Sequence, residues 1–232
     1  MNSQTYANPY VVAAAEPSVR AKFIQNTYIH LSGAILVFAG LEALLLQSPF
    51  AEPLAALLMS SWWIVLILFI GASWIADRWA HSATSQGMQY LGLGTFIVVE
   101  AIIFVPMLFI AQNHFDGVIT KAGFFTLLLF GALTVVAFTT KKDFSFLGGF
   151  LKIAGFVILG LIAASFIFPG GINLGTWFSV AMIVVAGASI LYSTSNVMHH
   201  YRPDQHVAAS LSLFASVAMM FWYILRIFMS RD

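Results

Sequence analysis

Two glutamates, Glu42 and Glu100, are the residues best placed to do chemistry, because each lies deep inside a long apolar stretch of the sequence. An ionisable group in such a position is costly in a membrane and often marks a path for ions or protons. If both stretches are helices that start at the same membrane face, a rise of about 1.5 Å per residue places both acids about 18–20 Å from that face. One interpretation is a pair of carboxyl groups that faces a polar cavity and shares one proton. The alternative is two isolated acids, each protonated or singly hydrogen-bonded, with Glu42 near the outer interface.

Histidines offer a second kind of chemistry, since imidazole titrates near neutral pH. His30 lies near the start of the first apolar stretch and is a candidate pH sensor, although an interfacial histidine with a hydrated ring edge would occupy the same position. A loop near the C-terminus concentrates metal-capable side chains at His199, His200, Asp204 and His206. Their spacing matches no zinc pattern, so a solvated loop is the favoured interpretation and no metal is expected.

Cofactor-dependent and enzymatic functions find little support in the residue types. The chain has no cysteine, which removes disulfides, thiolate metal sites and iron–sulfur clusters. No histidine lies in the middle of an apolar stretch, where a haem ligand would be needed, and the last stretch has no lysine for a retinal Schiff base. The ten basic residues are scattered and nearly balanced by nine acidic ones, so a nucleic-acid partner is not expected. We therefore expect no cofactor and no enzymatic activity.

The elements that position these groups follow from composition. Hydrophobic residues make up 60% of the chain and charged residues only 8%, against about 25% charged in soluble domains, so most of the surface must face lipid. Seven stretches approach or exceed the roughly 20 apolar residues that cross a bilayer. They run over residues 29–47, 54–76, 88–111, 118–139, 147–168, 172–196 and 206–229. Because open strands would leave backbone groups unpaired in lipid, the predicted fold is all-α, a polytopic membrane protein with a bundle of seven transmembrane helices.

Two regions are expected in this architecture. Residues 1–20 are predicted to form a mobile cytoplasmic tail, and residues 21–232 the seven-span bundle. Basic residues concentrate in alternate short loops, which predicts a cytoplasmic N-terminus and a C-terminus on the opposite side of the membrane. The break at residues 169–171 is the least certain boundary between spans.

Several segments carry a family resemblance. The loop Thr-Thr-Lys-Lys-Asp-Phe-Ser at residues 139–145, followed by Gly148, is the most specific of them. Residues 191–194 read Leu-Tyr-Ser-Thr, residues 211–214 read Leu-Ser-Leu-Phe, and residues 224–228 read Ile-Leu-Arg-Ile-Phe. Together these segments resemble the Bax inhibitor motif (TMBIM) family, in its bacterial branch. The resemblance is clearest from about residue 122 to the C-terminus.

The resemblance implies a fold and an activity. It implies a seven-helix bundle, a pH-sensitive calcium leak and, in bacteria, an association with membrane-protease machinery. In the family, two aspartates on spans six and seven form a proton-sensing pair, and their positions fall here on Ser193 and Ser216. Serine does not titrate in this range and cannot neutralise a divalent cation, so gating by the family's mechanism is not expected. The other interpretation of both serines is small-residue helix packing with an interhelical hydrogen bond.

Two functional hypotheses therefore stand. The favoured one is a non-enzymatic regulatory or accessory subunit that packs against membrane partners in the lipid bilayer, including protease complexes. The alternative is a leak channel or transporter for calcium or protons, which uses Glu42 and Glu100 in place of the aspartate pair.

Overall fold

The chain is helical throughout the part that can be described. The computed structural model describes residues 11–80, 85–140, 142–167 and 175–230, and no strand occurs within these ranges. In them, a short 3-10 helix, Val12–Ala14, precedes eight α-helices. The helices are α1 Pro17–Gln47, α2 Ala51–Ser60, α3 Trp62–Ala80, α4 Gln86–His114, α5 Val118–Thr140, α6 Leu147–Ile167, α7 Gly175–His199 and α8 His206–Met229.

Local sequence signals account for the helix ends. Pro17 occupies the first turn of α1, where its fixed φ suits a helix and its missing N–H costs nothing. The same helix stops before Ser48, whose hydroxyl donates to the carbonyl oxygen of Leu45 at 2.7 Å. The turn from α4 to α5 uses Gly117 at φ 69°, a conformation that side chains disfavour. Pro106 lies inside α4, as apolar membrane helices allow.

The second predicted span is broken. Residues 54–76 were expected to form one continuous helix, whereas α2 and α3 meet at Ser61 with a bend of 97°. Ser61 has φ −126° and ψ 56°, outside the helical region, and the Ser60 hydroxyl donates to the carbonyl oxygen of Leu57 at 3.0 Å. Serine side chains compete with the helical ladder in this way, which gives a local reason for the break.

The membrane character of the fold is confirmed. Five helices, α1, α4, α5, α7 and α8, are long and apolar enough to span a bilayer, and the bent pair α2–α3 makes a sixth if it counts as one span. The described part of α6 contributes a shorter apolar stretch, Leu147–Leu161. The number of seven spans stays a prediction, and the uncertain break at 169–171 lies outside the described residues.

The chain divides into two compact units. Unit 1 comprises Met1–Phe109 and Asn196–Phe214, and unit 2 comprises Ile110–Ser195 and Ala215–Asp232. The interior of unit 1 is lined by aromatic rings from α1, α4 and the start of α8. In unit 2, helices α5, α7 and α8 approach closely around Gly187, where an added Cβ would lie 3.4 Å from Leu133 and 3.9 Å from Met220.

The predicted tail at residues 1–20 has a defined structure in its described part. Residues 1–10 lie outside the described residues. From Val12 onward the chain is packed within unit 1: Val12 is fully buried, and its N–H donates to the carbonyl oxygen of Tyr201 at 2.8 Å. Helix α1 starts at Pro17, inside the predicted tail, and the division into a tail and a membrane bundle stays a prediction.

Candidate functional site

Ring contacts fix the register of α1 and α8 inside unit 1. The rings of His30 and His206 lie 4.9 Å apart between centroids, and those of Phe38 and Phe214 lie 5.8 Å apart. On both helices the second contact follows eight residues after the first. Helices α1 and α8 therefore run in the same direction, with matching levels over about 12 Å.

The aromatic cluster of unit 1 surrounds the position of Glu100. Phe38 also contacts Phe104 at 5.2 Å, and Phe214 contacts Phe96 at 6.1 Å. Glu100 lies midway between these two α4 rings, one helical turn from each. Its backbone is thus at the level of the Phe38–Phe214 contact, and its side chain is 6% exposed.

Glu42 is the second buried acid of unit 1. It lies one turn beyond Phe38 on α1, so its level differs from that of Glu100 by about 6 Å. The side chain is 5% exposed, and neither carboxyl oxygen has a hydrogen-bond partner in the described structure. The two acids thus share a unit and nearly a level but no hydrogen bond. Proton sharing between them stays a prediction.

His30 lies near the middle of α1, at the level where α4 and α8 begin. Its Nδ1 lies 2.7 Å from the carbonyl oxygen of Asn26, so that nitrogen carries the proton and donates. Its Nε2 lies 2.8 Å from the hydroxyl of Tyr90, which donates to it when the ring is neutral. His206 stacks beside the same ring. The predicted sensor is therefore one half of a histidine pair, and Tyr90 is a partner that spacing alone did not indicate.

Ser193 and Ser216 are both buried in unit 2. They are 1% and 3% exposed, respectively. The Ser216 hydroxyl lies 2.8 Å from that of Ser189, which precedes Ser193 by one turn on α7. The contact is a hydrogen bond between α7 and α8, within the small-residue surface of both helices. The correspondence of Ser193 and Ser216 to the family's aspartates stays a prediction.

The loop before α6 is fixed to the end of α7. Asp143 Oδ1 accepts hydrogen bonds from the backbone N–H of Ser145 at 2.9 Å and from the hydroxyl of Ser195 at 3.2 Å. The hydroxyl of Ser195 in turn accepts the backbone N–H of Phe144 at 2.8 Å. Ser195 is fully buried, whereas Asp143 and Ser145 are exposed, so the three bonds join a surface loop to the interior of α7. The sequence indicated the loop as a family motif but did not indicate that the hydroxyl of Ser195 would hydrogen-bond to it.

A close packing contact extends this junction. A Cβ built on Gly148 would lie 2.9 Å from Cε2 of the Tyr192 ring. Glycine at this position lets α6 approach the aromatic ring of α7. The loop at 142–145, Gly148 and Tyr192 are segments that carried the family resemblance, and the structure brings them together.

Among the residues that the structure describes, no group of three or more histidine, cysteine or acidic side chains is arranged to hold a metal ion. His199 and His200 contact each other, with ring centroids 6.1 Å apart. Asp204 instead forms an ion pair with Arg202 at 3.1 Å.

Comparison with known proteins decides the family. The family model described as inhibitor of apoptosis-promoting Bax1 matches residues 20–232. The chain belongs to the Bax inhibitor family. Membership covers all eight helices except the first turn of α1.

Relatives of the Bax inhibitor family extend from bacteria to yeast. An uncharacterised protein of Pseudomonas aeruginosa is 30% identical over 222 residues, which cover 93% of this chain and 92% of the relative. Bax inhibitor 1 of Schizosaccharomyces pombe is 28% identical over 223 residues, covering 96% of this chain and 81% of the relative. The modulator of FtsH protease YccA of Escherichia coli is 35% identical over 111 residues, covering 46% of this chain and 49% of that protein. The resemblance inferred from the loop motifs is thereby confirmed.

Proposed function

We propose that this Bax inhibitor family protein is a non-enzymatic regulatory subunit of the bacterial inner membrane, which binds and modulates a membrane protease of the FtsH type. Support comes from the name of the Escherichia coli relative, a modulator of FtsH protease. The observation that carries the proposal is the loop at residues 142–146. Hydrogen bonds to Ser195 of α7 hold this loop, and the side chain of Phe146 in it is exposed.

The anchoring makes this loop a preformed surface. Asp143 and Ser195 hold its backbone, and the ring of Phe144 lies 6.3 Å from that of Phe146. Phe146 is nevertheless 70% exposed, and Lys142, the first residue of the loop, is exposed as well. A rigidly held aromatic residue is a common anchor of protein interfaces, because little conformational entropy is lost on binding. In the predicted topology this loop faces the cytoplasm.

The test is a reconstituted degradation assay. The protein is inserted in liposomes with FtsH and a membrane substrate, and the degradation rate is measured as the protein concentration rises. We expect Phe146→Ala to shift the concentration for half-maximal effect by about tenfold, the loss typical of an interface anchor.

Phe156→Ala is the matched control, since Phe156 on α6 is 76% exposed and lies outside the loop. It should leave the concentration dependence unchanged. No effect of the unaltered protein on the protease, or equal losses in both variants, would contradict the proposal.

A second candidate function is passage of protons or calcium through unit 1. The observation that favours it is Glu42, whose two buried oxygens have no hydrogen-bond partner in the described structure. A buried carboxyl without donors is neutral or serves a cation, because an isolated charge would be too costly there. Glu100, at nearly the same level, would be the next stop on such a path.

Flux through proteoliposomes separates this candidate from the first. Internal dyes for protons and for calcium report leakage by the unaltered protein, and Glu42→Gln or Glu100→Gln should reduce it by about tenfold if the acids conduct. Glu52→Gln is the control, because Glu52 is an exposed acid in the first turn of α2. Equal flux in all four proteins would exclude the acids from any path.

A further inference from the structure

The segment before α1 forms a small strap across one end of unit 1. We define the strap as residues 11–16, which include the 3-10 helix Val12–Ala14. Its inter-segment backbone hydrogen bond joins the N–H of Val12 to the carbonyl oxygen of Tyr201 at 2.8 Å. The side chain of Val12 is fully buried, while Ala13 and Ala14 are exposed. A short segment outside the long helices can leave its site by a local opening that does not unfold the helices beneath it.

The site under the strap is the loop between α7 and α8. Tyr201 supplies the carbonyl oxygen for Val12, and its ring packs on Phe23 of α1 with centroids 6.4 Å apart. Five residues later His206 begins α8 and stacks on His30 of α1. The position of Tyr201 relative to the strap therefore depends on how closely α8 starts against α1.

That contact joins two histidine rings. In the neutral form of His30, Nδ1 donates to the carbonyl oxygen of Asn26 and Nε2 accepts from the hydroxyl of Tyr90. The ring of His206 lies 4.9 Å away, inclined by 58°. Two uncharged rings can pack at this distance, whereas two imidazolium cations repel strongly at a site partly shielded from water.

The surrounding charges permit one proton more easily than two. The titratable and charged groups at the cluster are His30 from α1, Tyr90 from α4, His206 from α8, and Arg202 with Asp204 from the preceding loop. Asp204 is the carboxylate of this cluster, and it is paired with Arg202 through two hydrogen bonds of 3.1 Å. The Asp204 carboxylate can stabilise one imidazolium of the pair. A second imidazolium is repelled by the first and has no further carboxylate among these groups.

We propose that His30 and His206 are a proton-operated latch, in which charging of both rings separates the start of α8 from the middle of α1, displaces Tyr201 and releases the strap. The strap is docked when the rings are neutral. It leaves when acidification charges the pair, because the undocked state binds more protons. This device belongs to unit 1 and operates whether or not a protease is the partner.

The absence of native cysteine allows a direct test. Val12→Cys places a single thiol at the buried position of the strap, and Ala13→Cys places one at the exposed neighbour. Maleimide labelling of the full-length protein in lipid nanodiscs is compared between the two variants at each pH, so that the ionisation of the thiol itself cancels. We expect the Val12-to-Ala13 ratio of labelling rates to rise by about fivefold or more between about pH 7.5 and pH 5, the range in which histidine titrates.

Histidine substitutions test whether the pH-dependent rise in the labelling ratio comes from the His30–His206 pair. His30→Gln or His206→Gln in the Val12→Cys and Ala13→Cys backgrounds should abolish the rise, because neither leaves two charges to repel. His200→Gln is the matched control from the same loop and should leave it intact. A ratio that does not change with pH, a rise that survives both of the first substitutions, or a rise removed by His200→Gln would each overturn the latch.

A second measurement covers the case in which Val12→Cys itself undocks the strap and labels as fast as Ala13→Cys at neutral pH. Hydrogen exchange of the Val12 amide is then followed in the unaltered chain and corrected for its intrinsic pH dependence. A fall in protection of about fivefold on acidification supports the latch, since this amide donates to Tyr201. Constant protection overturns it.

Discussion

Units 1 and 2 bury different kinds of polar group. Unit 1 buries the carboxyl groups of Glu42 and Glu100 among apolar and aromatic side chains. Unit 2 buries hydroxyl groups at Ser193 and Ser216, and Asp143, which accepts two hydrogen bonds at the junction of the loop with α7, is exposed there. The buried acids of the described residues therefore lie in unit 1, while the two serines predicted to replace the family's aspartates lie in unit 2.

The difference teaches where pH can act on this protein. Serine hydroxyls are neutral across the physiological range, so the Ser189–Ser216 contact of unit 2 has no charge to gain or lose. Carboxyl and imidazole groups do change charge, and unit 1 holds Glu42, Glu100, His30 and His206 at buried or partly buried positions. Sensitivity to protons is expected in unit 1 and not at the serines.

The largest effect is expected in the aromatic core of unit 1. Phe214→Ala removes a ring that contacts both Phe38 and Phe96 and is 2% exposed. We expect the free energy of unfolding, measured by titrating the detergent-solubilised protein with SDS, to fall by about 3–5 kcal/mol. Phe156→Ala, at a position 76% exposed, should change it by less than about 1 kcal/mol. Equal losses would mean that the ring cluster is not the core of unit 1.

An intermediate effect should follow when unit 2 is given the acids it lacks. The double variant Ser193→Asp and Ser216→Asp places two carboxyl groups at buried positions of α7 and α8. Such groups are best tolerated uncharged, so stability should be close to normal in acid and should fall by about 2–3 kcal/mol as the pH rises from about 4 to about 7.

The unaltered protein is the control for this prediction, and its α7–α8 contact should add no comparable pH dependence. SDS titrations at each pH measure both proteins. A double variant with the pH profile of the unaltered protein would show that these two positions are hydrated rather than enclosed.

The smallest effect concerns the hydroxyl pair itself. Ser216→Ala removes its hydrogen bond to Ser189 at little change in volume, and Ser189→Ala does the same from α7. Interhelical hydrogen bonds in membranes contribute about 0.6 kcal/mol on average, so a double-mutant cycle should give a coupling free energy of about that size. A coupling energy near zero would leave only small-residue packing at this contact.

Much of the fold was readable from hydropathy and loop composition. The last predicted span, 206–229, coincides with α8, and the fourth, 118–139, differs from α5 by one residue. Apolar length decides whether a segment can lie in lipid, so these helices needed no tertiary information. The loop motif also identified the family correctly.

What the sequence did not yield depends on contacts between distant segments. Apolar length gave no sign that Ser60 would bond back to Leu57 and interrupt the second span. His206 was taken as part of a solvated loop, because nothing local indicates that it stacks on His30 from a helix more than 170 residues earlier. Ser195 is one of many small residues of α7, and only the folded loop brings Asp143 within hydrogen-bond distance of its hydroxyl.

The bend between α2 and α3 also sets a length. Helix α2 has 10 residues, about 15 Å, and cannot cross a bilayer, whereas α3 has 19 residues, about 28 Å. A helix of that length is slightly shorter than the roughly 30 Å of an average hydrocarbon core, and tilting would shorten its projection further. A short hydrophobic helix is accommodated by local thinning of the bilayer. The interruption at Ser61 thus leaves α3 near the lower end of the helix lengths that can cross a bilayer.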